Sequence, residues 1–380
     1  MNQGLELSGI ARVVNGEMHL ADISMTFEPG SFTTLLGRTR AGKTTLLRVL
    51  AGLDRPSEGR VSWNGADVAN VDVRKRDVAM VYQQFVNYPS LTVYENIASP
   101  LRVKKNVARE EIDRRVREAA ALLRIDRLLE RLPAELSGGQ QQRTAIARAL
   151  VKRAGLLLLD EPLANLDYKL REELRSELRS LFRNTDAIVV YATAEPTEAL
   201  LLGGRTAVLD EGRLLQSGDA IDVYRAPVSE RVGRVFSDPQ MNLLDAELEG
   251  NGQVRLGGEL SFTAPAAFAA LASGPYRLGV RANHVRLERA SELDVRIPAR
   301  VTAQELSGSE TLLHAQAGEL VLAAQLPGAH RFALDAAVEL FVSPAHLFVF
   351  DQTGKLVART QGVGSAASAA SAATRSHGAH

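Results

Sequence analysis

The chain has 380 residues, with 45 Lys and Arg against 45 Asp and Glu, 45% hydrophobic residues and no cysteine. This length is expected to hold two or so domains, and the balanced charge argues against a nucleic-acid or anionic-lipid surface. The lack of cysteine excludes disulfides and zinc–thiolate sites and is compatible with the cytoplasm. No apolar run approaches the length of a membrane-spanning helix, which is about 18 residues. No secretory signal is expected either. Any membrane association is therefore expected through a partner.

A phosphate-binding loop is predicted near the start of the chain, between a buried strand at 32–36 and a helix that includes Leu46 and Leu47. The spacing G-x-x-x-x-G-K-[ST] predicts backbone N–H groups around a phosphate chain, with Lys43 on the outer phosphates and Thr44 on Mg²⁺. A chance Gly-rich turn is the alternative. The residues predicted to bind nucleotide are Gly37, Arg38, Thr39, Arg40, Ala41, Gly42, Lys43, Thr44 and Thr45.

The stretch after the loop contains a turn signal and then a helical region. Trp63-Asn64-Gly65 predicts a tight hairpin, because Asn-Gly is the preferred pair for such turns. Residues from about 88 to 150 have helical periodicity and many charges. Within them, Ser137-Gly138-Gly139-Gln140 is expected to open a helix with Ser137 as its N-cap.

Two carboxylates follow a run of four leucines, Leu156 to Leu159, which predicts a strand that is buried on both faces. Asp160 would lie at the carboxyl end of that strand, where α/β sheets bind ligands, and could hold Mg²⁺. Glu161 is next to it and could polarise a water that attacks a terminal phosphate. A solvated turn at the end of a core strand is the alternative.

From about 240 to 358 the pattern changes to short β-like runs between Gly, Pro and Ala-rich breaks, which predicts a small β domain. His284 is expected to be a packed or surface histidine rather than a metal ligand. The last stretch, from 364, is rich in Ala and Ser and is predicted to be disordered.

The phosphate loop, the Leu136-Ser137-Gly138-Gly139-Gln140 signature and the leucine run ending in Asp160-Glu161 together resemble ABC-type ATPases. The resemblance implies an α/β P-loop fold with a helical subdomain, and a dimer in which each signature acts on the partner's ATP. It implies ATP and Mg²⁺ as cofactors, Gln83 as a residue that senses Mg²⁺ and the attacking water, and a dimer-contact turn at Asn165-Leu166-Asp167. The implied roles are catalytic for Glu161, Gln83 and Lys43, metal-binding for Thr44, Gln83 and Asp160, and nucleotide-binding in trans for Ser137, Gly138, Gly139 and Gln140.

The chain is most similar in pattern to the importer ATPases for sugars, polyols and glycerol or glycerol phosphate. This resemblance implies an ATPase domain at 1–235, with its helical subdomain at about 88–150, an OB-like regulatory or dimerisation domain at 236–358 and a disordered tail at 359–380. Transmembrane permease subunits are the implied partners, with a solute-binding protein reached indirectly, at the cytoplasmic face of the inner membrane. A groove formed by 85–91 and Tyr94 would receive a short permease helix, although a small satellite core is the alternative.

Three positions depart from the family pattern. Ala194 replaces a histidine that would hydrogen-bond the γ-phosphate, Val13-Val14 lacks the aromatic that stacks on adenine, and Arg40 replaces a glycine of the phosphate loop. All three lie in the part of the site that the chain builds for its own nucleotide. They favour a heterodimer with a different ATPase subunit. The alternatives are an active homodimer, a nucleotide-gated subunit that does not hydrolyse ATP, and a soluble ATPase of DNA repair or translation.

Overall fold

The computed structural model describes residues 4–103, 107–164, 166–183, 186–257 and 260–360. The chain divides into two compact units between Val223 and Tyr224. The predicted tail lies outside the described residues from 361 onward, as does Asn165 of the predicted dimer-contact turn. The predicted domain limits at 235 and 358 remain predictions.

The strands of the first unit are β1 (Leu5–Val14), β2 (Glu17–Phe27), β3 (Phe32–Leu36), β4 (Glu58–Trp63), β5 (Ala66–Asp67), β6 (Val78–Val81), β7 (Leu156–Asp160), β8 (Ile188–Thr193), β9 (Arg205–Asp210) and β10 (Arg213–Asp219). The central sheet has the order β10-β9-β3-β8-β7-β6, and all of its neighbouring strands are parallel except β10 and β9. All five residues of β7 are buried, as the leucine run predicts. The carboxyl ends of β3, β7 and β8 therefore lie at one edge of the sheet.

A second, antiparallel sheet of the first unit has the order β2-β1-β4-β5. Asn64 and Gly65 join β4 to β5 with φ angles of 49° and 80°, so the hairpin predicted from Trp63-Asn64-Gly65 is confirmed. Both residues of a two-residue turn of this kind need positive φ, which Asn and Gly tolerate well.

The helices are α1 (Lys43–Ala51), α2 (Val93–Arg102), α3 (Arg109–Leu122), α4 (Gly138–Val151), α5 (Tyr168–Arg183), α6 (Pro196–Leu202), α7 (Ala220–Arg225) and α8 (Glu230–Val235). The three helices α2, α3 and α4 occupy the stretch predicted to be helical. Leu101, Val116 and Ile146 bring their apolar faces into one buried core. Such packing, more than helix propensity, stabilises helices of this length.

The second unit is built mainly from strands: β11 (Asn242–Leu248), β12 (Gln253–Leu256), β13 (Leu260–Thr263), β14 (Gly274–Val280), β15 (Val285–Arg286), β16 (Val295–Leu306), β17 (Glu310–Ala317), β18 (Leu320–Pro327), β19 (Ala337–Val342), β20 (Phe348–Phe350) and β21 (Leu356–Arg359). They form two sheets, β13-β12-β11-β14-β20-β21 and β15-β19-β16-β17-β18. Side chains from both sheets, such as Val280 and Ile297, share one apolar core. The prediction of a β-rich second domain is confirmed.

Two features of the described residues bear on the remaining expectations. The ring of His284 stacks on that of His346, with centroids 4.0 Å apart, so His284 is a packed histidine. Within the described part of the chain, no helix combines the length and the apolar character needed to cross a membrane.

Candidate functional site

The loop between β3 and α1 wraps the start of α1 at the carboxyl edge of the central sheet. The backbone N–H of Gly37 donates to the carbonyl oxygen of Thr193 at 3.2 Å. A Cβ atom on Gly37 would lie 2.6 Å from the carbonyl oxygen of Leu209, and Gly42 has a φ of 98°. Side chains at these two positions would clash or be strained, so glycine is needed for the loop to close.

Lys43 is the first residue of α1 and is 5% exposed. Its Nζ donates to the carbonyl oxygens of Gly37, at 2.7 Å, and Arg38, at 3.1 Å. The ammonium group therefore lies inside the curve of the loop. Thr44 and Thr45 follow it in the first turn of α1, where free N–H groups and the helix dipole favour an anion. This arrangement fits the predicted phosphate cradle.

Asp160 ends β7 opposite Thr44. Its Oδ2 accepts a hydrogen bond of 2.8 Å from the Thr44 hydroxyl, whereas its buried Oδ1 has no partner. Burial, together with the neighbouring Glu161 carboxylate, raises the pKa of Asp160. A buried carboxylate oxygen without a partner is costly unless a cation or a donor reaches it. Oxygen donors are the ligands that Mg²⁺ prefers, so Asp160 and Thr44 fit the predicted metal.

Glu161 connects the remaining predicted catalytic residues. Its Oε1 lies 3.1 Å from Nζ of Lys43, and its Oε2 accepts a hydrogen bond of 3.0 Å from Nε2 of Gln83. Glu161 has a φ of 46°, and its backbone N–H donates to the carbonyl of Ala192 at 3.0 Å. Positive φ in a non-glycine residue is uncommon and is typical of functional turns. The structure thus brings Lys43, Thr44, Gln83, Asp160 and Glu161 together.

The signature residues lie at the start of α4. The hydroxyl of Ser137 accepts from the N–H of Gln140, and the Gln140 side chain accepts from the N–H of Ser137 at 3.0 Å. This capping box confirms Ser137 as the N-cap. Gly138 and Gly139 follow in the first turn, and a Cβ on Gly138 would lie 3.6 Å from the Phe85 ring. The Ser137 and Gln140 side chains thus bond within their own turn.

The position at which the family pattern has a histidine follows β8. Ala194 is exposed at the end of this strand, and Leu36 of β3 pairs in register with Thr193. Ala194 therefore lies beside the start of the phosphate loop. Its methyl group can neither donate nor accept a hydrogen bond, so Ala194 offers no polar contact to a phosphate at this edge of the loop.

A buried carboxylate that sequence analysis missed lies behind Ala194. Glu198 of α6 is 4% exposed and accepts from the hydroxyls of Thr193, at 2.6 Å, and Tyr191, at 3.2 Å. Burial raises the pKa of Glu198. A signal was present, because residues two apart on a strand face the same side and both hydroxyls would need an acceptor there.

A second missed contact joins the turns that follow β7 and β8. Arg171 of α5 lies 2.6 Å from Oε1 of Glu195 and also donates to the carbonyl oxygens of Ala164, at 3.4 Å, and Leu166, at 3.3 Å. Ala164 and Leu166 lie in the turn after Glu161. The charges of Arg171 and Glu195 were visible in the sequence, but nothing local indicated their pairing.

The hairpin between β1 and β2 carries the position predicted to lack an aromatic. Val13 pairs directly with Met18 across the two strands, and the two side chains are 39% and 58% exposed. His19 and Leu20 come within contact distance of the space beside Gly42. The apolar side chains nearest to this expected adenine position are thus aliphatic or thioether groups.

Arg40 lies in a tight turn of the phosphate loop. The N–H of Ala41 donates to the carbonyl of Arg38 at 3.1 Å, and Arg40, the third residue of this turn, has a φ of 69°. Glycine is the usual residue at such a position. A left-handed conformation costs a side-chain-bearing residue about 1–2 kcal/mol. The Arg40 side chain is exposed.

A groove of about 440 Å³ lies between α2, α4 and β6. Its lining includes Val78, Tyr88, Leu91, Val103, Arg148 and Lys152. The guanidinium of Arg148 stands 4.9 Å from the centre of the Tyr88 ring, an arrangement that holds the aromatic side chain in place. Of the residues predicted to form a docking groove, Tyr88 and Leu91 line this one, whereas Tyr94 is partly buried against the apolar core of the helical region. Tyr94 faces inward because it lies in the first turn of α2, on the side of Ile97 and Leu101.

A phosphate loop on a parallel sheet, with Lys43, Thr44 and Asp160 at its carboxyl edge, defines a P-loop nucleotide-binding protein. Residues 20–164 match the family model of the ABC transporter, and residues 278–350 match that of the TOBE domain. A solved dimeric ATP-binding cassette in a post-hydrolysis state, bound to ADP and Pi, is 29% identical with a TM-score of 0.53, covering 57% of this chain and 98% of that one.

Two relatives extend over nearly the whole chain. The trehalose/maltose import ATP-binding protein MalK of Thermococcus litoralis is 37% identical over 372 residues, which cover 93% of this chain and 99% of that protein. The sn-glycerol-3-phosphate import ATP-binding protein UgpC of Escherichia coli (strain K12) is 34% identical over 357 residues, with the same shares covered. The chain therefore belongs to the ABC transporter ATP-binding family, whose import members are ATPases coupled to transport, and its β-rich second unit carries the TOBE domain.

Proposed function

We propose that this chain is the ATP-binding subunit that powers import of a small polar solute, such as a sugar, a polyol, glycerol or glycerol phosphate. The observation that carries the proposal is the connected group of Lys43, Glu161 and Gln83 at the mouth of the phosphate loop. The class of solute comes from the two relatives described above, which import trehalose/maltose and sn-glycerol-3-phosphate.

In the proposed reaction, the loop from Gly37 to Thr45 holds the phosphates of ATP, and Lys43 neutralises charge on the outer phosphates. Mg²⁺ would be held by Thr44, Asp160 and Gln83, and would supply Lewis-acid charge to the phosphate oxygens. The unpartnered Oδ1 of Asp160 supports this assignment. Glu161 orients and polarises the attacking water, and Gln83 fixes the Glu161 carboxylate by the hydrogen bond described above.

A second copy of this fold would complete the site, because the Ser137 and Gln140 side chains bond within their own turn rather than to Lys43 or Glu161. In the closed dimer, the N-terminus of α4 would face the terminal phosphate held by the partner subunit. Closure and reopening would then drive the transport path. Ser137, Gly138, Gly139 and Gln140 would make this contact in trans.

The groove between α2, α4 and β6 would receive a short helix of a transmembrane permease subunit. Its exposed Tyr88 and apolar Leu91 and Val103 offer a concave surface for such a helix, and Arg148 also lines it. The subunit would thereby be a peripheral protein at the cytoplasmic face of the inner membrane, and a solute-binding protein would act on it only indirectly.

The partner ATPase would be a different chain. Ala194, Val13 and Arg40 all modify the site that this chain builds for its own ATP, whereas the signature it offers to a partner is complete. A heterodimer with one altered and one regular site fits this distribution. An active homodimer is favoured by the intact Glu161, and a subunit that binds ATP without hydrolysis is favoured by Ala194.

The experiment compares the ATP hydrolysis rate of the purified chain at saturating Mg-ATP with that of Glu161→Gln. We expect binding to be retained and any hydrolysis to fall by about 10²–10⁴-fold in the variant, because the polarising carboxylate is lost. A clear rate for the chain alone would favour the homodimer. A native complex that contained only this ATPase subunit would contradict the heterodimer, and retained hydrolysis in Glu161→Gln would contradict the assigned role.

A further inference from the structure

We propose that Arg40 contacts the terminal phosphate of the ATP bound in this chain's own loop, and that it provides there the polar contact that Ala194 cannot make. The inference deepens the proposed function, on which it rests for ATP as the ligand. It makes Arg40 the residue by which this site distinguishes a nucleoside triphosphate from a diphosphate.

The backbone of Arg40 is the first observation. A φ of 69° in the tight turn closed by the Ala41–Arg38 hydrogen bond is a conformation for which glycine is the best residue. A strained residue that persists at a ligand-binding loop points to a function of its side chain. Within the described ranges, the exposed Arg40 side chain has neither a hydrogen bond nor an ion pair, so it can turn toward an incoming anion.

The position of Arg40 is the second observation. The Lys43 ammonium, held by the carbonyls of Gly37 and Arg38, marks the place where the outer phosphates bind. Two Cα–Cα steps of 3.8 Å place the Cα of Arg40 within about 7.6 Å of that of Arg38. The long Arg40 side chain can cover the remaining distance from its Cα to the terminal phosphate. Ala194 follows Thr193, whose carbonyl binds the N–H of Gly37, so both positions border the same loop.

The charge of Arg40 is the third observation. Glu161 lies 3.1 Å from Lys43 and offsets part of the charge that Lys43 offers to phosphate. A guanidinium stays charged at every physiological pH and can bind two phosphate oxygens at once. A contact to the terminal phosphate exists for ATP and is absent for ADP, so the affinity for ATP should depend on Arg40 far more than the affinity for ADP.

The test measures, by calorimetry on the full chain with Mg²⁺, the affinities for ADP and for a non-hydrolysable ATP analogue. We expect Arg40→Gly to weaken binding of the analogue by about tenfold to a hundredfold, as for loss of a charged hydrogen bond. Binding of ADP should weaken by no more than about threefold. Arg40→Lys should keep part of the preference. Arg40→Gly should not lower the melting temperature, because glycine suits the positive φ.

A control variant removes a positive charge elsewhere. Arg74 is exposed in the short 3₁₀ turn Val73–Lys75 before β6, and Arg74→Gln should leave both affinities unchanged. The proposal would be overturned if Arg40→Gly weakened binding of the analogue and of ADP equally, or weakened neither. In the double variant Arg40→Gly with Ala194→His, the preference for the analogue should return, and its failure to return would show that the two positions do not serve the same phosphate.

These outcomes are separate from those that decide the proposed function. A wild-type chain that prefers the analogue over ADP through Arg40 would support the inference even if its complex transported no solute. Transport of solute by a complex in which Arg40→Gly changes neither affinity would support the proposed function and overturn the inference.

Discussion

The carboxyl ends of β7 and β8 lie side by side in the central sheet and differ in what their side chains do. β7 ends in Asp160, and Glu161 follows it within hydrogen-bonding or ion-pairing distance of Gln83 and Lys43. β8 ends in Thr193, and Ala194 follows it with a bare methyl group. The backbones are alike, since Asp160 pairs in register with Ala192, but only the β7 end offers side chains to a phosphate.

On the β8 side, this difference is confined to Ala194, the residue that follows the strand. Behind Ala194, Thr193 and Tyr191 still donate to the buried Glu198, and Arg171 still joins Glu195 to the turn after Glu161. The scaffold of the β8 end is therefore intact although its phosphate contact is missing. Loss of one side chain in a rigid, well-packed turn alters the chemistry of a site without altering its fold.

The largest expected effect comes from Lys43 of α1, which pairs with Glu161 at the end of β7. Lys43→Met keeps the length of the side chain and removes its charge, so we expect loss of ATP affinity and at least about a 10²–10³-fold fall in hydrolysis. Lys75→Met, at an exposed position away from the loop, is the matched control and should change neither. Binding and steady-state hydrolysis measurements check this. A Lys43→Met variant with near-normal affinity would mean that the loop does not hold phosphate through Lys43.

The features of this site that sequence patterns predict are local ones. The leucine run predicts the buried β7, the G-x-x-x-x-G-K-T spacing predicts the loop before α1, and Ser137 with Gln140 predicts the start of α4. Each of these depends on residues within one element and its immediate neighbours, which is the range over which periodicity, capping and turn preferences act.

The features that sequence patterns did not predict depend on tertiary contacts. Arg171 and Glu195 are 24 residues apart, and their pairing requires α5 to pack against the turn after β8. The inward direction of Tyr94 is set by the core of the helical region. The positive φ of Arg40 is imposed by closure of the phosphate loop, against the intrinsic preference of arginine.

Ala194→His tests the β8 side directly, with a smaller effect. In the Arg40→Gly background, where no arginine makes the phosphate contact, a histidine there would add a hydrogen bond to a charged phosphate oxygen, worth about 1.5–3 kcal/mol, and we expect roughly tenfold to hundredfold faster hydrolysis. Ala194→Phe, similar in size but without a polar nitrogen, should give no gain. A change of less than about twofold in the Arg40→Gly background would mean that a side chain at position 194 does not reach the terminal phosphate.

The smallest expected effect concerns the scaffold behind Ala194 and is one of stability. Glu198→Ala removes the acceptor of two hydroxyl donors, so we expect the free energy of unfolding to fall by about 2–3 kcal/mol in chemical denaturation at pH 7. Glu198→Gln keeps an acceptor oxygen, so its free energy of unfolding should fall less. A loss in the Gln variant as large as that in Ala would mean that the charge of Glu198, rather than its hydrogen bonds, stabilises the turn.

The pH dependence of the Gln variant separates these two contributions. Burial, then the nearby charge of Glu195, raises the pKa of Glu198 above the 4.5 of a free glutamate, whereas its hydrogen bonds and the charge of Arg175 oppose the rise. The folded state thus holds a proton that the unfolded state has released. The contribution of Glu198 to stability is therefore greatest at low pH and declines as the pH rises from 4.5 through the folded-state pKa. Glu198→Gln has no proton to lose, so its deficit relative to wild type should be larger near pH 4.5 than near pH 8. A deficit independent of pH would mean that Glu198 has the same pKa in both states.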